Sequence, residues 1–445
     1  MIEQQYIDLF ETYREVIDQN ATEGLNKERD AAFEAFKKWG FPTSKLEDYK
    51  QSDISRAFDA DLGLNLRNIP IPVNPYDAFK CDVPHLNAHV FFLINDRYYD
   101  KTQPDLPLSN GVFVGSLQTF SEKYPRSFSM YYNKIAAADN GVTAYNTMFA
   151  QDGFVVYVPE NTVVEKPLQL INILRGGVNL NVNRRILLIA EKNADVKLLI
   201  CDHTVDDVNF VVTQVTEMVA GENAQVEFYE LEENSVKVTR ISSLYCLQKE
   251  QSKVTAAGIT LHNGYTRNDY RFRLSGEYAE THVGGLVISD KEQHTDNFAF
   301  LDHAVPHCTS NELFKYVLQE KSTGVFCGRI LVEKGAQKTE AYQSNRNLCS
   351  SEDAHMYAKP QLEIYADDVK CSHGLTTGQL DEDALFYMQA RGIPEEEARM
   401  LLMVAFTKDV VDMIHIDILH DRLEYLIDKR FRGELLRCGN CNVCK

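Results

Sequence analysis

The sequence predicts a mainly β chain in three parts: a helical front, a long β middle and a helical rear. Three observations predict it. An apolar stripe of helical period opens the chain. From about Gly153 to Val369 that period disappears and short β-branched runs replace it. After Asp381 helical periodicity returns. With 445 residues, 44% hydrophobic and 25% charged, the chain can bury two or three domains or one long array.

At the front, Tyr6, Leu9, Phe10, Tyr13, Val16 and Ile17 fall on one helical face. A second helix is expected from about Lys27 to Trp39, stopped by Gly40, a normal C-terminal cap residue. Phe41-Pro42-Thr43 then forces an extended exit, and residues 62–84, rich in Pro and Asn, read as an irregular connection.

In the middle, runs such as Phe154 to Val158, Arg185 to Ile189, Val196 to Ile200 and Gln225 to Tyr229 are separated by Gly176-Gly177, Asn193-Ala194-Asp195 and Gly221 to Ala224. Many short strands with no helices between them fit a sandwich, a barrel or a coiled β-solenoid. Turns near Asn193, Glu222 and Glu250 recur at the spacing of one solenoid coil, or of one long hairpin. Spacing alone leaves these open.

At the rear, Asp381-Glu382-Asp383 places acidic residues where a helix N-terminus favours them, and Gly392 ends that helix. Pro394 with Glu395 to Glu397 opens the next one. Leu419, Leu423, Leu426 and Ile427 line a last helix. The expected divisions are 1–150, helical or mixed; 151–370, the β core; 371–434, helical; and 435–445, a Cys-rich tail.

The formal charge of −19 argues against nucleic acid or an anionic membrane as partner, since both repel a chain of that sign. The opening residues carry no basic and apolar signal pattern, and no apolar run reaches membrane length. The expectation is a cytoplasmic protein whose ten cysteines are thiols.

The stretch from Pro360 to Gly374 holds the most chemistry. Leu362 and Ile364 alternate with Glu363 and Tyr365, as in a strand. Cys371 and His373, two apart, point to one side. Such a pair can bind a soft metal or sulfur-ligated iron, or can activate the cysteine as a nucleophile. The plain alternative is a packed cysteine beside a surface histidine, and two ligands do not close a site. His294, His303, His307 and Cys308 form a second group that could bind a metal, although Pro306 and the absence of a regular helix weaken any ligand spacing. In the tail, Cys438, Cys441 and Cys444 have the C-x₂-C-x₂-C spacing of three iron–sulfur or zinc ligands, with the fourth missing. No P-loop and no G-x-S-x-G elbow is present, so ATP hydrolysis would come from a partner.

Several ordered blocks together resemble the SufB/SufD family, in its SufD form. They are Pro360 to Gly374, Gly378 to Glu382, Leu385 to Met388 and Arg391 to Ile393. Upstream, Val325 to Val332, Ala336 to Thr339, Gln343 to Leu348 and the region of His303, His307 and Cys308 are similar, as are Gly40 to Thr43 and Glu47 to Lys50 at the front. The match is dense from about 294 to 407 and loose between 55 and 290. Gly374-Leu375 departs from the commoner Gly-Ala, and the His-Glu cluster expected of SufB is missing.

The resemblance implies a right-handed parallel β-helix core flanked by helical domains. It implies a scaffold rather than an enzyme, with a SufB-like subunit and a SufC-like ATPase as partners and the ATPase docked on the rear helices. A homodimer of the isolated chain stays open. The implied cofactor is a transient Fe–S cluster at the interface between subunits, to which His373, with Cys371 beside it, would contribute. Two other classes stand against this reading: a secreted-type β-helix enzyme acting on polysaccharide, whose carboxylate groove cannot be located, and a metal-binding protein built on the Cys tail.

Overall fold

The structure, a computed structural model, describes residues 2–59, 62–66, 74–78, 87–100, 111–136 and 140–433. Its middle is a parallel β-solenoid, not a sandwich or a barrel. Successive strands alternate between two sheets. One sheet holds Phe154–Val158, Leu180–Ala190, Phe210–Ala220, Val238–Gln248, Tyr265–Leu274, His294–His303, Thr323–Val332 and His355–Ile364. The other holds Leu168–Leu174, Asp195–Thr204, Gln225–Glu233, Lys253–His262, Glu280–Ser289, Thr309–Leu318, Glu340–Cys349 and Lys370–Gly378. Each strand pairs in parallel with the strand one coil away, so Asp195, Gln225 and Lys253 stand in one column.

The recurring turns are corners of this coil. Asn193, Asn223, Gln251, Tyr278, His307 and Lys338 all take the left-handed conformation there, with φ between +55° and +62°. Asparagine tolerates that region best among residues with a side chain, and the asparagines also stack. Asn193 Nδ2 donates to Asn161 Oδ1 at 2.7 Å, and Asn223 Nδ2 to Asn193 Oδ1 at 2.8 Å, 30 residues away.

On the inner face of the coil, position along each strand sorts residues into two zones. Val196, Leu198, Val226, Phe228, Val254, Phe272, Val283, Leu301 and Phe314 belong to one continuous apolar core. Beside it runs a polar spine. Arg184 lies 2.6 Å from Asp202, and Arg240 lies 2.8 Å from Asp202 and 2.6 Å from Glu230. Arg240 donates to Asn268 at 2.6 Å, Asn268 to Asn297 at 2.9 Å and Asn297 to Tyr316 at 2.7 Å. All are buried, and a buried charge needs a hydrogen-bonded partner.

The helical parts cover the outer faces. Tyr6, Phe10, Ile17, Phe36, Phe41 and Tyr145 pack in one cluster with Val211 and Ile241 of the first sheet. The first helix, Ile2–Gln19, kinks at Tyr13 (φ −108°), so Tyr13 leaves the expected stripe and is exposed. The second helix starts later than its pattern suggests, at Arg29–Trp39 after a short turn Glu23–Asn26. Arg29, fully buried, donates to the carbonyls of Thr147, Met148 and Ala150, which close helix Gly141–Phe149.

The rear helices are Glu382–Ala390, Glu395–Val411 and Asp417–Phe431. Asp381 caps the first by accepting from the amides of Asp383 and Ala384, and Gly392 follows it with φ +88°. The other two turn back along the second sheet. Val410, Ile414, Leu419, Leu423 and Ile427 pack on Leu199, Cys201, Tyr229, Ile259 and Leu286. Two cations pin them. Lys315 Nζ reaches Asp409 at 2.5 Å and the Phe406 carbonyl at 2.8 Å; Arg430 bonds the Leu261 carbonyl at 2.6 Å and Asp290 at 2.7 Å. No helix among the described residues is long and apolar enough to cross a membrane.

A candidate site at the open end of the solenoid

The solenoid's last coil is built from His355–Ile364 and Lys370–Gly378. Each strand pairs on one side only, with Thr323–Val332 and Glu340–Cys349 respectively. Strands of the early coils such as Leu180–Ala190 and Phe210–Ala220 are buried on both faces, whereas Lys370–Gly378 is exposed along nearly its whole length. The stretch from Leu362 to His373 is therefore two strands rather than one. The chain rounds a corner at 365–369 and enters the second sheet at Lys370.

Cys371 and His373 share the face that the alternation predicts. Cys371 stands over Ala341 and packs against the apolar core, so the pair faces the inside of the coil at its mouth. Burial raises the Cys371 thiol above its usual range, more than the Ala341 backbone contact lowers it. The isolated cysteine is therefore a thiol rather than an activated thiolate. His373 is exposed beside it. Directly beneath His373 in the column stands Gln343, and beneath that Glu312. Gln343 Nε2 donates to Glu312 Oε2 at 2.9 Å. Burial holds the Glu312 carboxyl up at about 8, with Gln343 opposing weakly. Sequence reasoning missed both residues. The available signal was a Glu and a Gln one coil apart, legible only once the coil length is known.

Fixed charges ring the mouth. Arg329 meets Glu363 at 2.7 Å, Lys370 meets Glu340 at 2.7 Å, and Lys338 pairs with Asp368. These are partly exposed and contribute little stability each.

The second histidine group does not converge. His294 and His303 stand at opposite ends of one strand. His294 stacks on Tyr265 and meets Ser52 Oγ at 3.0 Å. His303 lies buried in the coil against Ser310 Oγ at 2.9 Å. His307 is a corner residue stacked on Tyr278, with buried Cys308 next to it. Burial pushes both His294 and His303 down to about 4, so both are neutral imidazoles. Among the described residues no three His, Cys, Asp or Glu side chains gather as a metal site. Cys438, Cys441 and Cys444 lie outside the described residues.

On the rear helices, Phe386 is 72% and Tyr387 58% exposed, adjacent on the first of them. Large apolar rings left in water side by side mark a surface that a partner can cover.

Two family models divide the chain between them. The SUF system FeS cluster assembly SufBD core domain matches residues 173–406, and the SufBD protein N-terminal region matches 1–170. The chain belongs to the SufBD family. Like other SufBD proteins it is an iron–sulfur cluster assembly protein. It is 27% identical to an iron–sulfur cluster assembly SufBD family protein of Synechocystis over 91% of each chain. It is 30% identical to the iron–sulfur cluster assembly protein SufD of Escherichia coli, over 60% of this chain and 64% of that one. The SufD of Bacillus subtilis is 26% identical over 75% of this chain and 78% of its own. The SufBD core match takes in the last coil, the first rear helix with Phe386 and Tyr387, and most of the second.

Proposed function

We propose that this SufBD chain is a non-catalytic scaffold subunit of a cytoplasmic SufBCD assembly complex. Its open solenoid end joins a SufB-like subunit, and the Fe–S cluster forms there as transient cargo rather than as a resident cofactor. His373 supplies a ligand from this side, with Cys371 as its neighbour. A SufC-like ATPase docks on the rear helices over Phe386 and Tyr387 and supplies the ATP hydrolysis.

The observation that supports this most is the uncovered final coil. An edge strand with free N–H and C=O groups is a template for pairing with another chain, and folded proteins normally blunt it. Here the edge is left bare at the place where a Cys and a His lie on the inner face of the coil at its mouth. A related solenoid can add its own edge there by strand augmentation, which would enclose the pair between two subunits. Neutral imidazole is a ligand for iron, and Cys371 becomes a thiolate ligand once iron offsets its burial.

The test is His373→Ala in a complex reconstituted with SufB-like and SufC-like partners, following cluster formation by its visible absorption. The expected result is a several-fold loss of cluster with the complex still assembled. Wild-type yield would remove the site assignment.

A further inference from the structure

We infer that Gln343 is a positioning residue: anchored by Glu312 inside the coil, it accepts the ring N–H of His373 through its own side-chain carbonyl and so fixes which imidazole nitrogen faces the mouth. The inference rests on the reading of His373 as an interface ligand, and extends it by two coils into the protein.

Four observations converge. The register stacks Glu312, Gln343 and His373 in one column of adjacent parallel strands. All three lie on the inner face, because Phe314, two residues from Glu312, and Cys371, two residues from His373, both belong to the inner packing. Gln343 is 3% exposed, and its amide nitrogen is committed to Glu312 at 2.9 Å. Its carbonyl Oε1 is buried with no hydrogen-bond partner among the described residues. A buried acceptor left unpaired is costly, and the nearest polar side chain up the column is His373. Finally, the opposite wall leaves room for this amide. Gly328, across the coil on the other sheet, has no room for even a Cβ because the Gln343 amide fills that space.

Burial supports the same arrangement from below. With its carboxyl held up at about 8, Glu312 is neutral near pH 7. It therefore serves as a hydrogen-bond acceptor without placing an uncompensated charge under the histidine. The chemistry matches the usual second layer of a metal site, in which the ring nitrogen not used for the metal donates to an oxygen and the tautomer is set.

The experiment reads the imidazole directly. Full-length protein labelled with ¹⁵N-histidine gives ring-nitrogen signals, and His373 is identified by the signals lost in His373→Ala. The wild type should show His373 as one tautomer. Gln343→Met, of similar volume, should give a mixture of both, and Gln343→Glu, which keeps an acceptor oxygen, should return it to one. The buried rings of His294 and His303 report in the same spectra whether each variant is folded. A tautomer mixture in the wild type overturns the inference whatever the variants do, as does a wild-type His373 signal in Gln343→Met. In the reconstituted complex Gln343→Met should lower cluster yield a few-fold and Gln343→Glu should restore it. Failure of the two readings is distinguishable. Unchanged tautomers remove Gln343 and leave His373 standing, whereas unchanged cluster yield in His373→Ala removes the interface ligand and leaves the hydrogen bond standing.

Discussion

The two ends of the solenoid are finished differently. At the front, Phe113–Ser116 lies antiparallel on Phe154–Val158, while His89–Ile94 extends the second sheet and Arg97–Tyr98 folds back on it. Asp152 locks this end by accepting from Ser116 Oγ at 2.8 Å and the Gln118 amide at 3.2 Å. Among the described residues the far end has no such turn. After Gly378 the chain leaves as helices that lie along the side of the second sheet and do not fold over the mouth. A repeat array needs polar or covered terminal units to stay soluble. Capping one end and leaving the other bare separates two tasks. Stability accumulates where the coil is closed, and recognition sits where it is not.

That contrast predicts a gradient of mutational cost. The largest effect is expected from Arg240→Met, which leaves Asp202 and Glu230 without their shared cation inside the coil. Removing one partner of a buried pair costs about 3–5 kcal/mol. The expected outcome is a large fall in the urea midpoint; a fall no bigger than that of a surface variant would break the comparison.

A pH-dependent effect comes next. Glu312 keeps its proton up to about 8 when folded, against roughly 4.3 when unfolded. Between these values the folded state holds the extra proton, so Glu312 makes stability fall as pH rises through that window. Glu312→Gln removes this slope. Its urea midpoint should gain on that of the wild type from pH 5 to pH 8, by the equivalent of a few kcal/mol at the upper end. A constant difference across the range would show that the carboxyl is already ionised in the folded protein.

The smallest effect belongs to the mouth. His373→Ala, on an unpaired edge, should cost only about 1 kcal/mol, chiefly for the buried Gln343 acceptor it leaves without a donor. Measured beside Arg240→Met, it sharpens the contrast. A thermal shift of comparable size would mean that His373 holds the last coil together, and would assign its role to folding.

Much of this was legible in the residues, and the gaps have physical causes. The three-part division and the common face of Cys371 and His373 follow from periodicities of 3.6 and 2, and the helix start near Asp381 from its acidic residues. Those periods describe what one strand does and carry nothing about which strand it pairs with. The turns at Asn193 and Glu222 therefore suited a hairpin as well as a coil, until the family resemblance pointed to a β-helix and the parallel register settled it. The polar spine was hidden for a related reason. Arg184, Asp202, Glu230 and Arg240 look like solvent-facing positions in any single strand, and become interior only when neighbouring coils supply opposite charges. Gln343 and Glu312 needed the coil length before they could be placed in one column.

One strand has a mechanical consequence. Thr309–Leu318 carries Glu312 on its inner face and Lys315, three residues on, on its outer face, where Lys315 grips Asp409 and the end of the Phe406 turn. The strand is thus a rigid crossbar between the rear helix and the column that ends in His373. Arg430, bonded to the Leu261 carbonyl and to Asp290, is a second rivet between helix and sheet. The rear helices and the column that ends in His373 thus rest on one common wall.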